Sequence, residues 1–367
     1  MKINLDIPKN LQFRAFYMFF IMIGAIIGVD MIGSPGIIFI RAGHDSWISI
    51  ILAYFYILLL IFTMLYILRQ YENADILGIQ TDLFGSFISK AIGIVYIVFF
   101  ASQILATLLI YIEIIQAFIF PESNSFVLGF MLLSLIVYSL LGGLRVVIGV
   151  VFVFIVLSSW LLLLLIQPAM QMEFLNFLPI FDEGIPAILD GVQATAFTFT
   201  GIEVLFFLYP FVQDKDKIGK PLFWGFTSTA FFILLLTVIS IGFLSAPQLE
   251  RRIWVVLNLY KLQTTPIIER LDYIVVAEWM MVTVPRVILI MWCVIYILKR
   301  MYQIPKKYSV YGLAILLLCI IPFFDQHFEI QNLIESSRIV AIRLVYIYPF
   351  LLLPLVLFKK SRKNKEN

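Results

Sequence analysis

The 367-residue sequence predicts an all-α membrane protein of ten transmembrane helices, arranged as a 5+5 inverted repeat with helices 1 and 6 broken. Three observations predict it. Hydrophobic residues make up 62% of the chain and charged residues 13%, with a mean hydropathy of +1.02, which lies outside the range of soluble globular domains. Apolar runs of roughly 20 residues, the length a hydrocarbon core requires, follow one another almost end to end. Two of those runs carry helix-breaking residues at corresponding places in the two halves, the sequence mark of an inverted-repeat bundle with a midplane site.

In order, the spans are read at roughly 11–40, 46–69, 88–119, 126–141, 145–166, 187–211, 221–245, 271–298, 308–323 and 334–358. They form a single transmembrane domain over 1–367, with a first repeat of about 11–166, a second of about 187–358 and a basic cytoplasmic tail at 359–367. The polar stretch Met1 to Asn10 runs into the first span without a small-residue cleavage pattern, so that span is expected to stay. With both termini cytoplasmic, 18 Lys and Arg residues fall inside and 6 outside, the asymmetry that sets orientation. Residues 70–90 suit a short lateral helix on the cytoplasmic side. Residues 248–261 place Leu249, Ile253, Val256, Leu257 and Tyr260 opposite Glu250, Arg251 and Arg252, an amphipathic helix that either lies on the outer surface or braces the bundle.

Several function classes drop out. Cys293 and Cys319 lie in apolar spans and His44 and His327 in connections, which gives no metal-ligand cluster. Neither a P-loop nor a nucleophile elbow is present, so neither an enzyme nor a cofactor nor a bound metal is expected. The net charge of +3 is dispersed over the connections and does not mark a nucleic-acid partner. The expected solvent is a lipid bilayer.

The chemistry concentrates at the two breaks. The first span contains Gly24, Gly28, Asp30, Gly33, Ser34, Pro35 and Gly36 within thirteen residues. Proline removes a backbone donor and clashes with the preceding turn, while glycine admits angles other residues avoid, so the helix unwinds. The sixth span has its weak point at Thr200-Gly201, followed by Glu203. An ionised carboxylate in hydrocarbon costs about 2.5 kcal/mol or more, which places Asp30 and Glu203 against protein or a cavity. Unwound carbonyls then offer places for a cation or ammonium, and a half-helix N-terminus offers free N–H groups to a carboxylate. The same glycines also suit close helix packing or a simple kink.

The residues at these breaks carry a resemblance. Gly24-x-x-Ile27-Gly28-x-x-x-Ile32-x-x-Pro35 with Ala196-Phe197-x-Phe199-x-Gly201-x-Glu203 resembles the first and sixth helices of the amino acid/polyamine/organocation superfamily, hence a LeuT-like fold. More narrowly, the chain resembles the permease-like B subunit of GerA-type spore germinant receptors. That likeness rests on the order of Ile26 to Val29, Ala42 to Ile48, Tyr209-Pro210-Phe211 and Pro266 to Asp272. It implies a receptor subunit in the spore inner membrane that binds a small nutrient, an amino acid first, and signals to an A subunit and a C subunit. A secondary amino acid transporter coupled to protons or sodium shares the fold and stays open beside it. Two departures matter: Asp30 stands where the superfamily commonly has glycine, and the fifth span lacks the lysine that some proton-coupled relatives carry.

For the ligand site the expectation is Gly28, Asp30 and Gly33 from the first span and Phe199, Thr200, Gly201 and Glu203 from the sixth, with Gln103 of the third and Thr283 of the eighth. The glycines would admit ligand against backbone, Phe199 would pack on it and Asp30 would hold an ammonium. The intramembrane charges Asp30, Glu113, Glu203, Glu278, Arg286 and Arg343 need partners, or a place near the headgroups. Depth along the helices pairs Arg286, about 22 Å in, with Glu203, about 24 Å in, and Arg343, about 14 Å in, with Asp30, about 15 Å in. Glu113 and Glu278 both fall about 10 Å below the outer face.

Overall fold

The computed structural model describes residues 2–261, 270–324 and 326–366, and the Pro266 to Glu269 part of the motif above lies outside them. Among the described residues the chain is helical, with β pairing confined to two isolated bridges, Asn4 with Ala74 and Phe13 with Val212. The helices are α1 (Tyr17–Ile26), α2 (Ser34–Ala42), α3 (Ser46–Arg69), α4 (Ile76–Phe118), α5 (Ser125–Leu141), α6 (Leu144–Ser158), α7 (Ile166–Met170), α8 (Gly184–Thr198) and α9 (Leu205–Leu208). They continue as α10 (Gly219–Phe243), α11 (Ala246–Arg251), α12 (Val255–Lys261), α13 (Leu271–Glu278), α14 (Met280–Tyr302), α15 (Lys306–Ile320), α16 (His327–Ala341) and α17 (Tyr348–Glu366). Among the described residues, seven helical stretches are long and apolar enough to cross a membrane. An eighth is counted if Gly184–Thr198 and Ile202–Phe211, bent by 48°, form one span, and α1 and α5 are shorter apolar helices.

Local chemistry sets the helix ends. Asp75 caps α4 by accepting the Gly78 N–H at 2.7 Å, and Asn124 caps α5 by accepting the Phe126 N–H at 2.8 Å. Gly143, at φ +91°, makes the tight turn from α5 to α6. The expected short helix at 70–90 is the first part of α4, set off from the long span by a break at Gly85. The expected amphipathic helix at 248–261 is instead two short helices, α11 and α12, because the backbone is extended at Arg252 between them. Leu249, Val256, Leu257 and Tyr260 are buried as the pattern requires, whereas Ile253 is exposed. A Cβ on Gly36 would lie 2.8 Å from Val255 Cγ2 and 3.2 Å from Leu249 O, so these helices seat against α2 and brace the bundle.

The helix formed by α13 and α14 runs through the centre, packed against α1, α4 and α6, while the outer helices turn Phe87, Phe130, Met131, Tyr138 and Phe358 outward, as lipid contact favours. A buried ionic knot ties the start of α4 to the end of α14. Asp75, fully buried, accepts from Arg300 Nε at 2.6 Å and from the Tyr296 hydroxyl. Asp75→Ala leaves Arg300 without its carboxylate and removes the α4 cap, so an expected loss of about 3–5 kcal/mol should appear as an earlier thermal unfolding in detergent. Asp75→Asn, which keeps an acceptor for Gly78, should lose less.

Candidate functional site: the junction of the two broken helices

α1 ends at Ile26 because Ile27 and Gly28 are extended, at ψ 119° and −170°. A 3-10 turn, Val29–Ile32, carries the chain to Gly33, and α2 restarts with Ser34 and Pro35 in its first turn. α8 ends at Thr198, Gly201 adopts φ +119°, and a second 3-10 turn, Ile202–Val204, leads on to α9. Both interruptions therefore fall where the glycines and proline foretold them. They also touch each other: a Cβ on Gly201 would lie 2.1 Å from the Ala25 carbonyl oxygen, so only glycine lets the backbone after α8 cross α1 this closely. Glu203, buried, turns back locally and its Oε2 accepts the Gly201 N–H at 2.8 Å.

Arg286 of α14 joins the two breaks. It is almost fully buried. Its Nη1 donates to the Ile26 carbonyl at 2.7 Å and to Asp30 Oδ1 at 3.1 Å, and its Nη2 donates to Thr200 Oγ1 at 3.1 Å and Gln103 Oε1 at 3.3 Å. One guanidinium thus satisfies the carbonyl freed by the first break, the carboxylate beside it, a hydroxyl next to the second break and an amide of α4. Gly28 makes room, since a Cβ there would come within 2.6 Å of Arg286 Cδ. Arg286 Nε and Gln103 Nε2 are buried with no acceptor among the described residues. Trp279, also buried, points its indole N–H at the Gly28 carbonyl, 3.4 Å away.

The pairings differ from those matched by depth. Arg286 binds Asp30, and Glu203 is held by Gly201 instead. Arg343 does not reach Asp30: it is exposed on a π-helical segment, Ile342–Ile347, on the outside of the bundle. Glu113 pairs with His327 at 2.8 Å, tying α4 to the start of α16, and Glu278 accepts from the Trp160 indole at 3.3 Å. Depth along a helix fixes height but not azimuth, and the break at Gly28 turns Asp30 inward.

Beside the junction is a cavity of about 330 Å³, bounded by α2, α8, α11, the link into α12 and α16. Of the nine expected ligand residues, Asp30 and Gly33 line it, with Asp30 about a quarter exposed. Gly28, Gln103 and Thr200 gather around Arg286. Phe199 is fully buried against Phe226, Thr283 bonds to the Trp279 carbonyl of its own helix, and Gly201 and Glu203 shape the second break. Sequence reasoning passed over Phe197, Thr198, Arg252 and Trp254 in the cavity wall. Phe197 and Thr198 sit beside the chosen residues, one or two positions before the break, and only the helix phase separates them. Tyr346 was also missed; its hydroxyl donates to the Ala196 carbonyl near the end of α8 from within the π-helical segment.

A model of the spore germination protein family matches residues 12–333. The chain belongs to this family. Among relatives of this germination protein, Spore germination protein GerQB of Bacillus cereus is 31% identical over 94% of this chain and 95% of its own. Spore germination protein B2 of Bacillus subtilis (strain 168) is 20% identical over 69% of this chain and 70% of its own. Among solved structures, a Na+-coupled sialic acid symporter in a substrate-bound, outward-open state aligns with TM-score 0.59 at 13% identity, covering 95% of this germination protein and 76% of the symporter. A nucleobase-cation-symport-1 family transporter in a closed conformation aligns with TM-score 0.52 at 14% identity, covering 92% and 79%. At those identities the likeness shows the fold, that of helical membrane transporters. The germination protein is therefore an integral, permease-like membrane protein, and its relatives are not enzymes.

Proposed function

We propose that the chain is the nutrient-sensing B subunit of a spore germinant receptor, admitting a small germinant, an amino acid first, to the cavity beside the broken helices. The observation that carries this reading is the double role of Asp30, which faces the cavity and holds Arg286. A ligand ammonium arriving at Asp30 competes with the guanidinium that fastens both breaks. A ligand carboxylate in the cavity would meet the guanidinium of Arg252 in its wall. Binding then favours one arrangement of the junction over another, which is the differential affinity any ligand-driven change requires. The shifted bundle passes its state to partner A and C subunits in the spore inner membrane. The topology consistent with this role is ten spans in a 5+5 repeat with both termini cytoplasmic, α1 with α2 and α8 with α9 serving as the broken first and sixth spans.

A second reading, an amino acid transporter, is favoured by the transporter fold of the structural neighbours. Three measurements separate them. Amino acids should raise the unfolding temperature of the purified chain, while liposomes containing it alone should accumulate no labelled amino acid, and deletion should abolish germination on that nutrient. Uptake by the isolated chain would move the conclusion to transport; no binding of any amino acid would remove this ligand class.

A further inference from the structure

The oxygens around Arg286 are of the types that bind hard cations. They are a backbone carbonyl (Ile26), a carboxylate (Asp30), a hydroxyl (Thr200) and a side-chain amide oxygen (Gln103), drawn from the first, third and sixth spans. Hard cations are bound by such mixtures of carboxylate, carbonyl and neutral oxygen. In inverted-repeat bundles, carbonyls freed by unwinding commonly hold the coupling ion. Here the positive charge is covalently attached. Arg286 reaches these oxygens from the eighth span, through space that exists because residue 28 has no side chain.

We propose that Arg286 is a tethered cation, standing permanently in the place of a dissociable inorganic ion, so that rearrangement of the junction is not coupled to a sodium gradient. The guanidinium can change partners, but it cannot leave for the other side of the membrane. It also presents two nitrogens to two pairs of acceptors, which lets one charge bridge both breaks where a monatomic ion would need all four oxygens within its own coordination radius. The inference concerns the ion and stands whichever small molecule the cavity takes.

The test follows thermal unfolding of the full chain in detergent, in sodium chloride and in choline chloride at equal ionic strength. The wild type should unfold at the same temperature in both. Arg286→Met should unfold roughly 5 °C lower in choline and recover much of that shift in millimolar guanidinium or in sodium. Arg286→Lys, which keeps the charge but not the fork, should fall between them. A sodium-specific rise in the wild type would overturn the proposal, as would an Arg286→Met protein as stable as wild type in choline or unresponsive to every added cation. Should neither variant be recovered folded, the wild type decides alone: a sodium-specific rise refutes the tethered cation and its absence upholds it.

Discussion

Gly201→Ala should cost about 4 kcal/mol or more and reduce recovery of folded, monodisperse protein to little or none. Two independent effects add. Gly201 sits at φ +119°, where an L side chain is strained, and the new Cβ would lie 2.1 Å from Ala25 O and 2.6 Å from Ala25 C. Those are backbone atoms of α1, so no rotamer change relieves the clash; the two broken helices must separate. Against a total stability of about 5–15 kcal/mol, that is a large fraction. Gly219→Ala is the control, since a Cβ there meets nothing within 4 Å, and it should stay within about 0.5 kcal/mol of wild type in the same unfolding assay.

The second large effect concerns the ion pair. Arg286→Ala should cost about 3–5 kcal/mol, because it removes the donor shared by Ile26, Asp30, Thr200 and Gln103 in a buried setting. Asp30→Asn should cost less, since Asp30 is partly exposed to the cavity and Arg286 keeps three other acceptors. The double variant should be more stable than the sum of the singles predicts, by about 0.5–3 kcal/mol, as partners in direct contact require. Arg343→Ala, on the bundle exterior, should not couple to Asp30→Asn. Strict additivity between Arg286 and Asp30 would mean that the pair contributes nothing to holding the junction.

The breaks were legible in the sequence because glycine and proline act on the backbone locally. Gly28 to Pro35 and Gly201 interrupt their helices whatever surrounds them, and carboxylates beside such breaks mark a place where hydrocarbon is not the neighbour. The azimuth of side chains was not legible. Counting along the helices pairs Arg286 with Glu203, yet the guanidinium turns to Asp30 and the carboxylate folds back onto Gly201. Arg343 reads from sequence as an intramembrane charge needing a partner, but the π-helical turn it occupies sets it outward. The cavity wall was half legible for the same reason: Thr198 and Phe197 line it while Thr200 and Phe199 do not, a shift of two positions on a helix about to end. The apolar stripe at 248–261 identified four buried residues but wrongly grouped the exposed Ile253 with them, and it did not reveal the extended Arg252 that divides the helix and lets both halves settle on α2.

Binding of amino acids to the purified full chain, wild type against Asp30→Asn, tests the central claim most directly. At least one amino acid with a free ammonium should bind the wild type. Its affinity should fall more than about tenfold in Asp30→Asn while that variant still unfolds cooperatively, as loss of one partner of a desolvated charge pair predicts. Unchanged affinity in a folded Asp30→Asn protein would contradict the account, because the ligand would then reach the junction without the carboxylate that faces the cavity.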